Sequence, residues 1–199
     1  MTLLVATTNA NKLREIRQIL ADVAVELVSL ADVDAPQEPE ETAHTFAENA
    51  RQKALHYATA TGLPTVAEDS GLEIDALDGT PGVLSARFPG ETYPEKFAEI
   101  YRQLAARGAR ESRARFVCAL ALVEDARVVF ETQGAVEGRI ASAPRGTAGF
   151  GYDPIFFYPP YDRTLAEVTA AEKAAVSHRG RAFRMLHDFL AARGPEQAS

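Results

Sequence analysis

The chain has 199 residues, 46% hydrophobic and 25% charged, which is enough apolar material for a proper core in one domain or two closely packed lobes. A formal net charge of -7 argues against broad nucleic-acid binding, which needs a basic face to displace counterions from phosphates. No apolar run approaches the ~18 residues of a membrane span, and no charged segment precedes an apolar one at the N-terminus, so we expect a cytoplasmic protein without membrane contact. The single Cys118 excludes an intramolecular disulfide and, inside the apolar residues 116–123, reads as a buried strand thiol.

In chain order, residues 3–6 read as a short buried strand. Leu13, Ile16, Ile19 and Leu20 then recur at helical spacing, which places Thr7-Thr8-Asn9-Ala10-Asn11-Lys12 in a strand-to-helix turn. Residues 25–30 predict a second strand and the Asp/Pro/Glu-rich residues 32–41 a surface loop. A helix is expected over 45–61, apolar along Phe46, Ala50, Ala54 and Tyr57 and stopped by Gly62. Residues 64–67 read as a strand delivering the acidic turn Glu68-Asp69-Ser70-Gly71, with residues 72–75 alternating as a further strand. Residues 78–90 are expected as loop. A helix over 94–107, with Lys96 as a surface lysine, leads into a hairpin of two long strands, 114–123 and 127–136. Two more helices are expected over 164–175 and 178–192, the latter apolar along Phe183, Leu186, Phe189 and Leu190. Only the last six residues read as a dispensable tail. The result is an α/β chain with a mixed sheet.

Four polar clusters, residues 7–12, 68–71, 149–153 and 177–179, fall where strands or loops meet helices, and Asn49 with Lys53 forms a fifth feature along a helix. The first turn offers helix N–H groups, Thr7, Thr8 and Asn9 as side-chain donors and Lys12 as a cation, which suits an anion; the alternative is a Thr/Asn helix cap with a solvated lysine. No Gly-rich phosphate-loop pattern is present. Asp69, at a strand end, is the residue type Mg²⁺ prefers, with Glu40 or Glu41 as a possible second ligand; the alternative is a solvated acidic turn. Asn49 and Lys53 are one helical turn apart on a stripe bordering the apolar side. In Gly149-Phe150-Gly151-Tyr152-Asp153 the glycines permit close backbone approach and the two rings offer stacking faces. Ser177 reads as a cap for the last helix, whose His178 and Arg179 could read a planar base. Together the clusters outline a nucleoside triphosphate site.

These fragments, in this order, closely resemble the inosine/xanthosine triphosphate pyrophosphatase family. The carriers are residues 6–12, Glu41 with residues 45–50, Glu68-Asp69-Ser70-Gly71-Leu72, residues 81–87, residues 149–154, and Glu172-Lys173 through Ser177-His178-Arg179; the likeness spans about residues 3–190. It implies one domain over 1–199, built as a long mixed twisted sheet flanked by helices with two lobes around a deep nucleotide cleft, and a homodimer. The implied reaction is Mg²⁺-dependent hydrolysis of ITP, dITP and XTP to monophosphate and pyrophosphate, clearing deaminated purines from the nucleotide pool. By residue, it implies that Thr7, Thr8, Asn9, Ala10, Asn11 and Lys12 cradle the triphosphate, that Lys12 and Lys53 stabilise developing charge, and that Asp69 is the central acid with Glu41 as companion metal ligand, Glu40 and Glu68 being the substitutes for it. Asn49, Ser70, Phe150, Gly151, Tyr152, Asp153, Lys173, His178 and Arg179 would complete the substrate site. Two departures stand out: Ala148 where glycine is usual, and Glu68 where bacterial members often carry aspartate. A non-cleaving nucleotide sensor would not need an Asp69-centred metal site, and a septum-formation-type pyrophosphatase is disfavoured by His178-Arg179 and the 149–153 loop.

Overall fold

The computed structural model describes residues 1–109 and 111–193, so the expected tail at 194–199 lies outside the described residues. Seven strands form one sheet in the order β2-β1-β3-β4-β5-β6-β7. They are β1 (Thr2–Val5), β2 (Glu26–Ser29), β3 (Thr65–Ile74), β4 (Arg113–Glu124), β5 (Arg127–Ile140), β6 (Phe156–Tyr158) and β7 (Arg163–Thr164). β1 pairs in parallel with β2 and β3, whereas β6 is antiparallel to β5 and β7, so the sheet is mixed as expected. The helices are α1 (Ala10–Ile19), α2 (Phe46–Thr61), α3 (Tyr93–Ala106), α4 (Ala170–Val176) and α5 (His178–Arg193). Among the described residues no helix is long and apolar enough to cross a membrane.

The chain divides into two compact units. The first comprises Met1–Asp69, Cys118–Gly134 and the chain from His178 onward. Here the two-residue alternation of the strands sorts side chains by size. Leu3, Val5, Val66, Cys118, Leu120 and Leu122 pack with Ile16 of α1 and Phe183 and Leu186 of α5, while Leu4, Ala6, Ala67, Ala121 and Val123 pack with Ala54, Tyr57 and Ala58 of α2. Small residues on the second face let α2 lie close. The second unit, Ser70–Val117 and Ala135–Ser177, has its own core around Leu72, Ile100, Phe116, Ile155 and Phe156.

Local signals explain most boundaries. The Thr45 hydroxyl caps α2 by accepting from the Glu48 N–H, and Gly62 ends it in a left-handed conformation at φ 69°. Thr92 and Glu95 form a capping box at α3. Asp125 and Ala126 both take positive φ in the two-residue β4–β5 connection, the conformation of a tight hairpin turn.

Two expectations are corrected. Glu68-Asp69-Ser70-Gly71 is no turn: β3 runs unbroken through it, because both carboxylates are buried and partnered and the backbone stays extended. The helix expected from Thr164 begins only at Ala170. Thr164 ends β7, and the capping box of Thr169 and Glu172 sets the true start.

Candidate active site

Side chains alternate across β3, so Glu68 follows Val66 toward α5 and Asp69 follows Ala67 toward α2. On the α5 side Glu68 is 3% exposed and enclosed by donors. Arg179 Nε donates to its Oε1 at 2.8 Å, Cys118 Sγ donates to Oε2 at 2.8 Å, and Lys12 Nζ lies 3.5 Å away. Burial alone would raise this carboxyl, but the charges of Arg179 and Lys12 outweigh it and hold Glu68 well below the usual range. Arg179, itself 2% exposed, also donates to Glu15 at 2.8 Å, and the nearby Glu68 charge holds its guanidinium high against burial. Burial, reinforced by Glu68, pushes the Cys118 thiol well up, so it stays a protonated donor.

On the α2 side the balance reverses. Asn49 Nδ2 donates to Asp69 Oδ2 at 2.9 Å, which lowers the carboxyl, yet burial is the larger effect and Glu41 adds a like charge, so Asp69 is pushed up to about 6. Lys12 and Lys53 pull in the opposite direction. Lys53 is buried and donates to Glu41 Oε1 at 2.5 Å, with Glu38 3.4 Å away; burial works against its charge, but these carboxylates keep the ammonium above its ordinary value. Both Asn49 and Lys53 therefore face inward rather than into solvent.

The first turn is more self-contained than expected. Asn9 Oδ1 caps α1 by accepting from the N–H groups of Asn11 at 3.0 Å and Lys12 at 3.2 Å, and Thr7 Oγ1 accepts from the Asn9 N–H. An anion arriving here meets Thr8, Ala10 and the Lys12 ammonium, and displaces the Asn9 cap if it takes the helix amides.

The second unit holds a separate cluster. Gly149, at φ 70°, has no room for a side chain, since a Cβ would lie 2.1 Å from Asp153 Oδ2. That closeness lets Asp153 accept from the Phe150 N–H at 2.8 Å and from Lys173 Nζ at 2.6 Å, while Lys173 lies 4.4 Å over the Phe150 ring. Gly151 also takes positive φ, and Tyr152 donates its hydroxyl to the Ser85 carbonyl. Ala148 is outside the left-handed region and donates to Ala166 O at 3.0 Å, so glycine is not required there. Ser70, the residue after Asp69 in β3, is half-buried, as is Phe150, and His178 is buried.

Lys96, expected at the surface, does not lie there. It is buried, donates to Ala86 O at 2.6 Å and sits near the Tyr93 ring. The sequence reading also missed Glu15, Cys118 and Glu38 as partners of the charged groups. For Glu15 and Cys118 the usable signal was Arg179, which lies on the stripe of Ala182, Phe183, Leu186 and Leu190, where a cation needs buried acceptors.

Mg²⁺ usually takes one or two carboxylates and completes its shell with phosphate oxygens and water. Asp69 and Glu41 fit that requirement as two hard oxygen donors, and a cation would relieve Asp69, which burial and the charge of Glu41 hold up. Among the described residues no group of three His, Cys, Asp or Glu side chains forms a metal cage.

Comparison with known proteins identifies the family of the chain. A profile of the Ham1 family matches residues 3–189. The chain is 45% identical to a dITP/XTP pyrophosphatase of Exiguobacterium sibiricum over 96% of its own length and 97% of the relative's. It superposes on a HAM1 protein from Coxiella burnetii with a TM-score of 0.89 at 41% identity, covering 96% of this chain and 99% of that one. A nucleoside-triphosphatase / dITP/XTP pyrophosphatase from Mycobacterium abscessus gives a TM-score of 0.75 at 46% identity, over 94% and 98% of the two chains. With residues 3–189 matched by that profile and 94–96% of its length covered by relatives of this similarity, the chain belongs to the Ham1 family.

Proposed function

We propose that this protein is a cytoplasmic, homodimeric pyrophosphatase that hydrolyses ITP, dITP and XTP to the monophosphate and pyrophosphate with Mg²⁺. The observation that carries the reading is the buried Asp69, braced by Asn49 and coupled to Glu41, Lys53 and Lys12. The names of the relatives supply the substrate class.

Asp69 and Glu41 would hold Mg²⁺, which when bound neutralises phosphate charge and eases ionisation of water. Asp69 takes the proton of the attacking water. The water oxygen bonds to the α-phosphorus, the bond from that phosphorus to the α–β bridging oxygen breaks, and pyrophosphate leaves with the electron pair. Lys12 and Lys53 stabilise the charge that shifts onto the phosphate oxygens, with Thr7, Thr8, Asn9, Ala10 and Asn11 around the triphosphate. Glu41 releases Lys53 in part as the phosphates arrive. Phe150, Gly151, Tyr152, Asp153, Lys173 and Ser70 are assigned to the nucleoside. His178 and Arg179 are assigned to the purine 6-keto oxygen, for which Arg179 exchanges a bond to Glu15 or Glu68. A 6-amino group offers these donors no acceptor in exchange, which disfavours ATP.

The experiment is pyrophosphate release across ITP, dITP, XTP, GTP and ATP, with phosphorus NMR of an ITP digest. The reading expects intact pyrophosphate and at least ~10²-fold preference for ITP over ATP in kcat/KM. Stepwise orthophosphate, or ATP within about tenfold of ITP, overturns it. Light scattering of the purified protein tests the homodimer.

A further inference from the structure

We infer that Tyr93 contacts substrate as a second aromatic wall of the purine site beside Phe150; this rests on the function proposed above. In the second unit, only two large hydrophobic side chains among the described residues are exposed, Leu84 at 54% and Tyr93 at 39%. Both adjoin Tyr152. Ser85, next to Leu84, accepts the Tyr152 hydroxyl, and the Tyr93 ring meets the Tyr152 ring edge-to-face at 5.3 Å. Scattered exposed apolar residues need no explanation, but an exposed ring held against a Gly/aromatic loop offers area that a ligand can cover.

The exposed ring is also held in place. Tyr93 begins α3 directly after the capping-box residue Thr92, packs against Phe97 with centroids 6.2 Å apart, and has Lys96 Nζ 5.6 Å from its ring centre. Lys96 is anchored in turn to Ala86 O. A tyrosine fixed on three sides offers its remaining area without losing rotamer freedom on binding.

Its position ties it to the loop. A Cβ on Gly151 would lie 3.6 Å from the Tyr93 hydroxyl, so that hydroxyl borders the backbone immediately after Phe150. Burial and, secondarily, the charge of Asp153 raise the Tyr93 phenol, which therefore stays protonated. Asp153 is the same carboxylate that binds the Phe150 N–H and Lys173. Tyr93 thus belongs to the group of side chains organised around Phe150, and its aromatic ring is suited to a flat purine.

The test compares Tyr93→Leu, which keeps apolar volume, and Tyr93→Phe, which keeps the ring, by kcat and KM on ITP and dITP and by Tm. Loss of the stacking ring predicts a KM roughly tenfold higher for both nucleotides in Tyr93→Leu, with kcat within about twofold and Tm lowered by no more than the few degrees that its ring contacts supply. Tyr93→Phe should restore the wild-type KM. An unchanged KM in Tyr93→Leu overturns the inference, as does a rise confined to ITP, which would indicate a ribose contact. Failure of Tyr93→Phe to rescue excludes stacking. A wild-type protein that cleaves neither nucleotide overturns the proposed function, and this inference with it.

Discussion

Glu68 and Asp69 are adjacent carboxylates on one strand, both buried, yet the two faces of β3 treat them oppositely. Glu68 faces α5, where Arg179, Cys118 and Lys12 hold it ionised as a fixed counter-ion. Asp69 faces α2, where burial and Glu41 hold its carboxyl up at about 6. A saturated carboxylate stabilises its surroundings but has little capacity left for chemistry. A carboxylate kept near the point of protonation can exchange a proton or welcome a cation. One step along a strand is enough to separate the two roles, because side chains two residues apart share a face and neighbours do not.

The largest effect expected is on stability at the α5 face. Glu68→Ala leaves the buried Arg179 short of an acceptor and should cost roughly 3–5 kcal/mol in urea unfolding. A loss below about 1 kcal/mol, the usual value of a surface pair, would show that Glu15 suffices. At the α2 face, Asp69→Asn should lower kcat on ITP by at least ~10²-fold while the protein stays folded, since an amide neither accepts the proton of water nor balances a cation. Retention of more than about a tenth of wild-type kcat removes Asp69 from the centre of the mechanism. Lys53→Ala deletes one charge-assisted contact of roughly 1.5–3 kcal/mol, so kcat/KM should fall by about tenfold or more. No lysine serves as its control, because the chain's lysines are Lys12, Lys53, Lys96 and Lys173, and the last three are buried. Arg102→Ala, whose side chain is 67% exposed, should be almost silent. Equal losses in the two variants would take α2 out of the phosphate site.

The α2 face was legible in the sequence because helical spacing placed Asn49 and Lys53 beside Ala50, Ala54 and Tyr57, and because Thr45 and Gly62 mark the ends of that helix. The α5 face was not. Arg179 in a helix start reads as a free donor, and only its place on the buried stripe betrays the need for Glu68 and Glu15, which are 111 and 164 residues away in sequence. Long-range ion pairs leave no periodicity. The continuous β3 was missed for a related reason: Glu-Asp-Ser-Gly has turn composition, and tertiary burial overrides that local preference. β6 and β7 span three and two residues, too short to show an alternation.

The contrast between the faces is tested most directly by melting Asp69→Asn and Glu68→Gln beside wild type, without metal and with EDTA, at about pH 8 and pH 5. Asp69 has a folded value raised from 3.8 to about 6, so the cost of ionising it in the native state builds up as pH rises from 3.8 to about 6 and is complete above that. Removing that charge should stabilise the protein at pH 8 by up to ~3 kcal/mol, a gain that shrinks toward pH 5. Glu68 has a lowered folded value, so its contribution is complete above the ordinary glutamate range and is lost only as pH falls below it. Glu68→Gln should therefore lose stability at pH 8 and by a similar amount at pH 5. Opposite signs at pH 8, converging for Asp69→Asn alone, are the predicted result; a lower Tm for both variants at pH 8 would contradict the division of labour across β3.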